Sequence, residues 1–242
     1  MPKKLLTYLL IGLIVLVTIG LITLGNWQLR RLSWKTELID RIEQRVSKEP
    51  VSAPLLTSDT VSKYEHEYLR IEVSGKYLHK LETAVLALTD EGGGYWILTP
   101  LVSEDSITII NRGFVPEEGR HASIRLAGQL EGEQHIIGLI RLTEPGGLAL
   151  RKNVPEEERW YSRDVEAIAK ARGLNGVQPY FIDAEWSELP QHSPQGGMTR
   201  LQFSNNHLIY ALTWYGLALL LPGLTVTALM THKRDKEKPE TP

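Results

Sequence analysis

The chain has 242 residues, which is enough for one domain of ordinary size together with additional segments. Its formal net charge of −2 lacks the basic excess of a nucleic-acid-binding protein, so we expect no nucleic-acid partner. The absence of cysteine excludes disulfides, thiolate metal sites and covalent haem attachment, and the presence of only three methionines argues against a thioether copper carrier.

The first predicted element is an apolar segment near the N-terminus. No charged residue lies between Leu5 and Leu29, and Lys3 and Lys4 precede the segment. A helix of about 20 apolar residues spans the roughly 30 Å hydrocarbon core of a bilayer. A cleaved signal peptide is the alternative, but its apolar run is usually only about 7–15 residues and ends at a small-residue cleavage site. We therefore predict an uncleaved transmembrane helix over residues 5–26.

Beyond this span the pattern changes to short segments bounded by turn residues. Trp34, Leu38, Ile42 and Val46 recur every four residues and predict an amphipathic helix that continues from the span and ends before Pro50. Short apolar or alternating runs between glycine, proline, asparagine and aspartate residues then predict strands. The predicted strands cover residues 68–73, 84–88, 95–102, 107–110, 124–130, 135–142 and 179–184.

One helix is predicted late in this region, and a second membrane span follows it. Asp164 is expected to cap the helix at its N-terminus and Gly173 at its C-terminus. Residues 201–232 contain no Lys, Arg, Asp or Glu, and Pro222 within them is tolerated in a membrane helix at the cost of a local kink. We predict the second transmembrane helix over residues 206–230.

The distribution of basic residues predicts the orientation of the two spans. Lys3 and Lys4 precede the first span and a basic run follows the second, so both termini are expected on the cytoplasmic side. Residues 1–4 and 231–242 are then cytoplasmic, and residues 27–205 form an extracytoplasmic domain. Arg30, Arg31 and Lys35 oppose this orientation, although a long translocated domain tolerates them. The lack of an Arg-rich presequence before Leu5 favours a bacterial plasma (inner) membrane over a mitochondrial one.

These elements predict an α+β fold class. The expected architecture is a β-rich extracytoplasmic domain, with a small barrel-like sheet and one or two helices, between N- and C-terminal transmembrane helices. The chain carries no GxSxG, P-loop, HExxH or GxGxxG motif, and its histidines are scattered without the spacing of metal ligands. We therefore predict that the protein is not an enzyme.

Polar and aromatic residues gather where both spans meet the same predicted membrane surface. The first span ends in Trp27 and Gln28, and the second begins with Asn206 and His207. The predicted topology makes these residues neighbours although they are far apart in sequence. One interpretation is an aromatic belt that anchors the spans at the interface.

The other interpretation is a site for a flat, iron-bearing ligand. His207, Tyr210 and Trp214 share one stripe of the second helix, which places imidazole, phenol and indole groups on one face. Neutral imidazole is a common axial ligand of haem, and a histidine at the edge of a membrane span is a functional candidate. The residues alone leave both interpretations open.

At these positions the chain resembles the Surfeit locus protein 1 family, the two-pass assembly factors of haem–copper cytochrome c oxidase. The family pattern G-x-W-Q-x-x-R-x-x-W-K is matched near the first span, and a closing pattern is matched near the second. Further matches lie between them, although Phe114 stands where the family usually has tryptophan. The residues that carry the resemblance include Gly25, Trp27, Gln28, Arg30 with Arg31, Trp34, Lys35, Arg112, Gly113, Gly138, Arg141, Arg163, Gly196, Gly197, Asn205, Asn206, His207, Tyr210 and Trp214.

The resemblance implies an assembly factor that holds or stabilises haem a while the catalytic oxidase subunit matures. It implies His207 as the axial ligand of the haem iron, Tyr210 and Trp214 as walls, and Trp27 and Gln28 as residues that close the site. The implied partners are the catalytic subunit of cytochrome oxidase and the lipid bilayer, with haem a synthase as a further candidate. A cofactor-free membrane scaffold and an envelope binding module are the alternatives.

Two residues of the resemblance have a structural interpretation as well. We favour a backbone bend at Gly113 and a structural ion pair at Arg112 over ligand contact.

Overall fold

The computed structural model describes residues 3–148 and 150–236. Residues 1–2 of the predicted cytoplasmic N-terminus and residues 237–242 of the predicted tail lie outside the described residues. The helices and strands, in chain order, are α1 Lys3–Val46, β1 Val51–Ser52, α2 Lys63–His66, β2 Arg70–Tyr77, β3 Thr83–Thr89, β4 Gly92–Val102, β5 Ile107–Pro116, β6 Glu133–Leu142, β7 Gly147–Leu148, β8 Arg151–Lys152, α3 Val165–Ala171, β9 Val177–Ala184 and α4 His207–Lys236.

The chain divides into two compact units. The first is a helix pair formed by the described residues up to Arg41 and from Gln202 onward, and the second is a strand domain from Ile42 to Leu201. Helix α1 has 44 residues, or about 66 Å at 1.5 Å per residue, which exceeds the thickness of a hydrocarbon core. It ends at Val46, which confirms the predicted helical continuation beyond the first apolar segment.

Among the described residues, two helices are long and apolar enough to cross a membrane, Leu5–Val46 and His207–Thr231. None of the apolar window of the first and only 11% of that of the second is buried inside the protein, unlike the core helix of a soluble domain. Apolar side chains that stay exposed along such lengths are suited to lipid rather than to water. The two helices therefore fit a two-pass membrane protein.

The strand domain is built around a closed five-stranded barrel. Its strands follow the order β2, β6, β9, β5 and β4, and a short antiparallel pairing of Lys76 and Tyr77 with Val102 and Leu101 closes β4 onto β2. The β5–β9 pair is parallel and the other barrel pairs are antiparallel. Strand β1 adds to β2 and strand β3 adds to β4. The predicted small barrel-like sheet within an α+β fold is therefore confirmed.

Two apolar clusters stabilise this barrel from its two faces. One contains a buried residue from each barrel strand: Ile71, Leu101, Ile110, Ile140, Tyr180 and Ile182. The other packs α3 and Trp160 against the opposite faces of β4, β5 and β9. Neighbours such as Ile109 and Ile110 enter different clusters because successive strand residues point to opposite faces. Each fully buried aliphatic or aromatic side chain contributes about 1.5–3 kcal/mol.

One predicted strand is absent. Residues 124–130 form 3-10 turns, Ala122–Ile124 and Leu126–Gly128, instead of a strand. The reason is Arg125, whose side chain is buried and bonds Gly119 O (2.6 Å) and Glu82 Oε1 (2.6 Å). A buried charge must be paired, and these bonds hold the local backbone in turns. The predicted helix after Asp164 is confirmed, since the Asp164 carboxylate accepts a bond from Ala167 N at 3.1 Å.

Arg112 has a structural role, but the predicted ion pair is wrong. Its guanidinium is buried, donates to the Gly128 carbonyl and lies 5.0 Å from the centre of the Tyr77 ring. Within the described ranges no carboxylate lies within ion-pair distance of it. The carbonyl and the aromatic face compensate for the lost hydration instead. The predicted backbone bend at Gly113 is confirmed by its φ of +127°.

His79 makes the strand domain sensitive to acid. Its Nε2 donates to Leu130 O (2.9 Å), and its Nδ1 accepts from Arg112 at 3.4 Å. Burial lowers the pKa of His79 below its ordinary value of 6.5, with the Arg112 and Arg125 charges acting in the same direction and the Leu130 bond and Glu82 opposing it. The unfolded imidazole therefore takes up a proton at higher pH than the folded one. The stabilisation that neutral His79 contributes is fully present above about pH 6.5 and is lost as the pH falls through the lower pKa of the folded protein.

We expect His79→Gln to flatten this pH dependence. Glutamine can still donate to the Leu130 carbonyl but carries no titrating group. The measurement is the melting temperature of the full chain in neutral detergent at pH 7.5, 6.5 and 5.5. An equal decline in the wild-type protein and the variant would contradict the assignment to His79, and His121→Gln, at an exposed histidine, is the matched control.

Candidate functional site

The helix pair is held by contacts between α1 and α4 that run in opposite directions along the two helices. Residues 25 and 26 of α1 contact residue 215, residue 28 contacts residue 207, and residues 35 and 36 contact residues 204 and 205. The partner numbers therefore fall as the α1 numbers rise. The helices are therefore antiparallel, as two consecutive spans require. Polar side chains provide most of these contacts, and such bonds hold helices together where water is scarce.

His207 and Gln28 form the central contact of the pair. The Nδ1 atom of His207 lies 2.7 Å from Oε1 of Gln28, and Gln28 is only 8% exposed. An amide oxygen only accepts, so Nδ1 carries the proton and donates it. The Nε2 atom then holds the imidazole lone pair. This bond fixes both the ring orientation and the tautomer of His207.

A second contact lies about two helical turns away and was not predicted as part of the site. The Tyr215 hydroxyl donates to Oδ1 of Asn26 at 2.7 Å. Its ring packs so closely on Gly25 that a Cβ atom there would lie 2.6 Å from Tyr215 Cε1. Gly25 is therefore required for the approach of the two helices. The sequence signal was the pairing of a glycine on one span with an aromatic residue on the other.

The aromatic residues of the predicted site take different positions. Trp214 is partly buried, and its indole Nε1 is buried with no hydrogen-bond partner among the described residues. Trp27 and Tyr210 are 56% and 53% exposed. Trp214 therefore belongs to the interior of the pair, whereas Trp27 and Tyr210 present most of their surfaces outward.

Two of the remaining motif residues extend the contact beyond His207. Lys35 donates to the Ser204 carbonyl, and Asn205 Nδ2 donates to Thr36 Oγ1 at 3.4 Å. The other three are exposed: Asn206, Arg30, and Trp34, whose ring lies 4.0 Å from the Arg31 guanidinium. The structure thus brings His207 together with Gln28, and Lys35 and Asn205 to the same helix contact. It leaves Arg30, Trp34 and Asn206 at the surface.

We expect Gly25→Ala to separate the two helices near His207. The added methyl group meets the Tyr215 ring, which cannot withdraw without losing its bond to Asn26. Because the chain has no native cysteine, a Gln28→Cys, His207→Cys pair can report the distance through its oxidation rate. Gly25→Ala should slow this cross-linking several-fold. Gly20→Ala, where a Cβ meets nothing within 4 Å, should leave it unchanged; equal rates in all three backgrounds would contradict the prediction.

Comparison with known proteins identifies the family to which the sequence belongs. The sequence model of the SURF1 family matches residues 15–219. The chain is 36% identical over 223 residues to "Surfeit locus protein 1" of Homo sapiens, covering 85% of this chain and 72% of the human protein. It is 35% identical over 212 residues to the Takifugu rubripes protein of that name, covering 80% and 86%. It is 34% identical over 224 residues to a "SURF1-like protein" of Monosiga brevicollis, covering 87% and 82%. The chain belongs to the SURF1 family.

Proposed function

We propose that this protein is an assembly factor for haem–copper cytochrome c oxidase whose helix pair holds haem a while the catalytic subunit matures. Membership in the SURF1 family is consistent with oxidase assembly. The observation that supports the haem site is the 2.7 Å bond from His207 Nδ1 to Gln28 Oε1. The proposed role involves no covalent step in the protein, in line with the prediction that the chain is not an enzyme.

The tautomer of His207 suits an axial ligand. A neutral imidazole coordinates iron through the nitrogen that carries its lone pair, and the other nitrogen usually donates to a carbonyl or amide oxygen. Gln28 supplies that oxygen from a buried position. His207 would hold the haem iron through Nε2, and Gln28 would position His207 without touching the haem.

The surrounding aromatic side chains suit a flat apolar cargo. Trp214 lies seven residues, or about two turns, after His207 and so shares its face of α4. Its buried indole N–H lacks a partner within the described part of the chain, which is unusual for a polar group in a native structure. Trp27 and Tyr210 offer exposed ring faces to the cargo.

The proposed setting is a bacterial plasma membrane with both termini in the cytoplasm and the strand domain on the other side. The positions of Lys3, Lys4 and the basic residues after the second span support this orientation. The proposed partners are the lipid bilayer, the catalytic subunit of cytochrome oxidase and haem a synthase.

The first test is genetic. We would delete the gene and record the reduced-minus-oxidised spectrum and oxidase activity of the membranes. The proposal expects loss of the a-type signal, restored by the wild-type gene and by His121→Ala but not by His207→Ala. Restoration by His207→Ala as well would leave an assembly scaffold that needs no haem ligand. An unchanged spectrum after deletion, in a strain with no second copy, would leave a binding module of the cell envelope.

The second test measures how much Gln28 contributes to haem binding. Purified full-length protein is titrated with haem, and binding is followed by the Soret band. Gln28→Glu keeps an oxygen acceptor for His207 Nδ1, whereas Gln28→Leu removes it at similar volume. Loss of such an orienting bond weakens metal binding by about 10–100-fold, so Gln28→Leu should bind haem more weakly and Gln28→Glu should not. Equal affinities for the two variants would exclude Gln28 as the positioning residue.

A further inference from the structure

The strand domain contains a cavity that the proposed function does not use. Its volume is about 260 Å³, and its lining includes Tyr68, Trp96, Arg141, Arg163, Asp183 and Arg200. Pockets for drug-sized ligands are usually about 300–1,000 Å³, so this cavity accommodates a group of a few heavy atoms rather than a porphyrin.

The single carboxylate of the lining is already fully engaged. Asp183 accepts bonds from Asn111 Nδ2 (2.8 Å), Arg141 Nη1 (3.1 Å), Arg163 Nη1 (3.3 Å) and Thr199 Oγ1 (3.0 Å). Four donors saturate the acceptor capacity of a carboxylate. Asp183 therefore has no oxygen lone pair left for a cation, so the charged groups of the lining that remain open to a ligand are the arginines, which act as donors.

The guanidinium groups of the lining differ in how much of this donor capacity is free. Arg163 is held by both oxygens of Glu144, at 2.5 and 3.1 Å, in addition to Asp183. Among the described residues, Arg141 hydrogen-bonds only through Nη1, and its Nε forms a longer ion pair with Glu67 Oε1 at 3.8 Å. Within residues 3–148 and 150–236, Arg200 makes no ion pair or hydrogen bond. Two arginines thus retain unused donors at one cavity.

The backbone around the cavity is held in uncommon conformations. Tyr68 has a φ of +63°, and the lining glycines Gly113 and Gly197 have φ of +127° and +75°. A tyrosine in the left-handed region is strained, and such strain persists only where the surroundings fix it. Its amide bond to Ile140 O (2.8 Å) and the Arg141 guanidinium 4.7 Å from its ring do so. The cavity is therefore shaped before a ligand enters.

Separate segments of the chain converge on this cavity. Asn111 and Gly113 come from β5, Arg141 from β6, Arg163 from the segment before α3, and Gly196 and Gly197 from the segment after β9. These segments carry matches to the family pattern that the helix pair does not explain.

We propose that this cavity binds one carboxylate group attached to an apolar body, with Arg200 and the nitrogens of Arg141 that make no hydrogen bond as anion-binding donors and Trp96 as an apolar wall. Guanidinium groups match the planar geometry of a carboxylate and form charge-assisted bonds with it. The same carboxylate could belong to a free small acid or to the end of a partner polypeptide. The inference is independent of haem binding by the helix pair.

The test uses the full chain in neutral detergent at constant ionic strength. Benzoate is titrated and binding is measured by calorimetry, with benzamide as the uncharged isostere. Benzoate should bind saturably and benzamide should not. Arg200→Gln should weaken benzoate binding by about tenfold. Arg200→Lys keeps the charge but not the planar set of donors, so it should weaken binding less than Arg200→Gln does. Arg151→Gln, at an exposed arginine outside the lining, should bind like the wild-type protein.

A pair of short peptides ending in phenylalanine, one with a free carboxyl terminus and one amidated, distinguishes the two sources. Tighter binding of the free-acid peptide than of benzoate assigns the cavity to a partner polypeptide. Binding of benzoate alone assigns it to a small acid, and both results support the proposal. Failure of every carboxylate to bind, equal binding of benzamide, or an unaltered affinity in Arg200→Gln would overturn it.

Discussion

Replacing Asp183 by asparagine is expected to lower the free energy of unfolding of the strand domain by about 3–5 kcal/mol. The carboxylate is 5% exposed and holds Arg141 and Arg163 at 3.1 and 3.3 Å. The substitution keeps the size of the side chain but leaves two largely buried guanidinium groups without this counter-charge. The melting temperature of the full chain in neutral detergent should fall by about 10 °C.

Glu157→Gln is the matched control for this loss. It also converts the carboxylate of an arginine pair to an amide, but both Glu157 and Arg159 are more than half exposed despite their 2.7 Å contact. Exposed pairs contribute about 0–1 kcal/mol, so this variant should melt within a few degrees of the wild-type protein. Similar melting temperatures for the two variants would show that the buried Asp183 ion pairs stabilise the protein no more than an exposed pair does.

The placement of His207 beside Gln28 can be predicted from the sequence because a bilayer imposes strong constraints. Two apolar runs with basic flanks fix both spans, and their shared surface brings the polar residues at their ends together. The contact between His207 and Gln28 follows from that geometry. The direction in which each aromatic side chain points does not follow from the positions of the spans, because it depends on the rotation of each helix about its axis. The contact of Tyr215 with Asn26 could therefore not be predicted from the sequence.

In the strand domain, long-range polar bonds override local patterns. Residues 124–130 have the composition of a strand, yet burial of Arg125 against Glu82 holds part of this segment in turns. Asn111 is a turn-forming residue type and predicts the end of a strand, yet β5 continues through it to Pro116. The Asn111 side chain instead bonds Asp183 and the Gly113 amide. Glu82 lies 43 residues from Arg125, and Asp183 lies 72 residues from Asn111. A pattern read over a few neighbouring residues cannot include such partners.

The same polar bonds explain why the cavity could not be foreseen. Its arginines come from different strands and loops, and none is flanked by a recognisable motif for anion binding. Only closure of the barrel brings them around Asp183. Asp183 holds Arg141 in place and also occupies one of its donors. The stability of the strand domain and ligand binding in the cavity are therefore coupled at Asp183.

The second large effect is expected from Gly113→Ala, which should destabilise the strand domain by about 3–4 kcal/mol. Gly113 has a φ of +127°, and a Cβ atom there would lie 2.0 Å from the Gln195 carbonyl oxygen. Relief requires the 195–197 segment to move away. Such movement breaks the two reciprocal backbone bonds between Phe114 and Gln195, each 2.9 Å long.

Gly132→Ala separates the two causes of this loss. Gly132 also has a positive φ, +81°, but a Cβ atom there meets nothing within 4 Å, so only the backbone strain of about 1–2 kcal/mol applies. Thermal unfolding of both full-length variants, followed by circular dichroism, gives the comparison. The excess loss in Gly113→Ala reports the contact with Gln195, the residue directly before the cavity-lining Gly196. Equal losses in the two variants would mean that the 195–197 segment yields freely, and the cavity would then not be a preformed site.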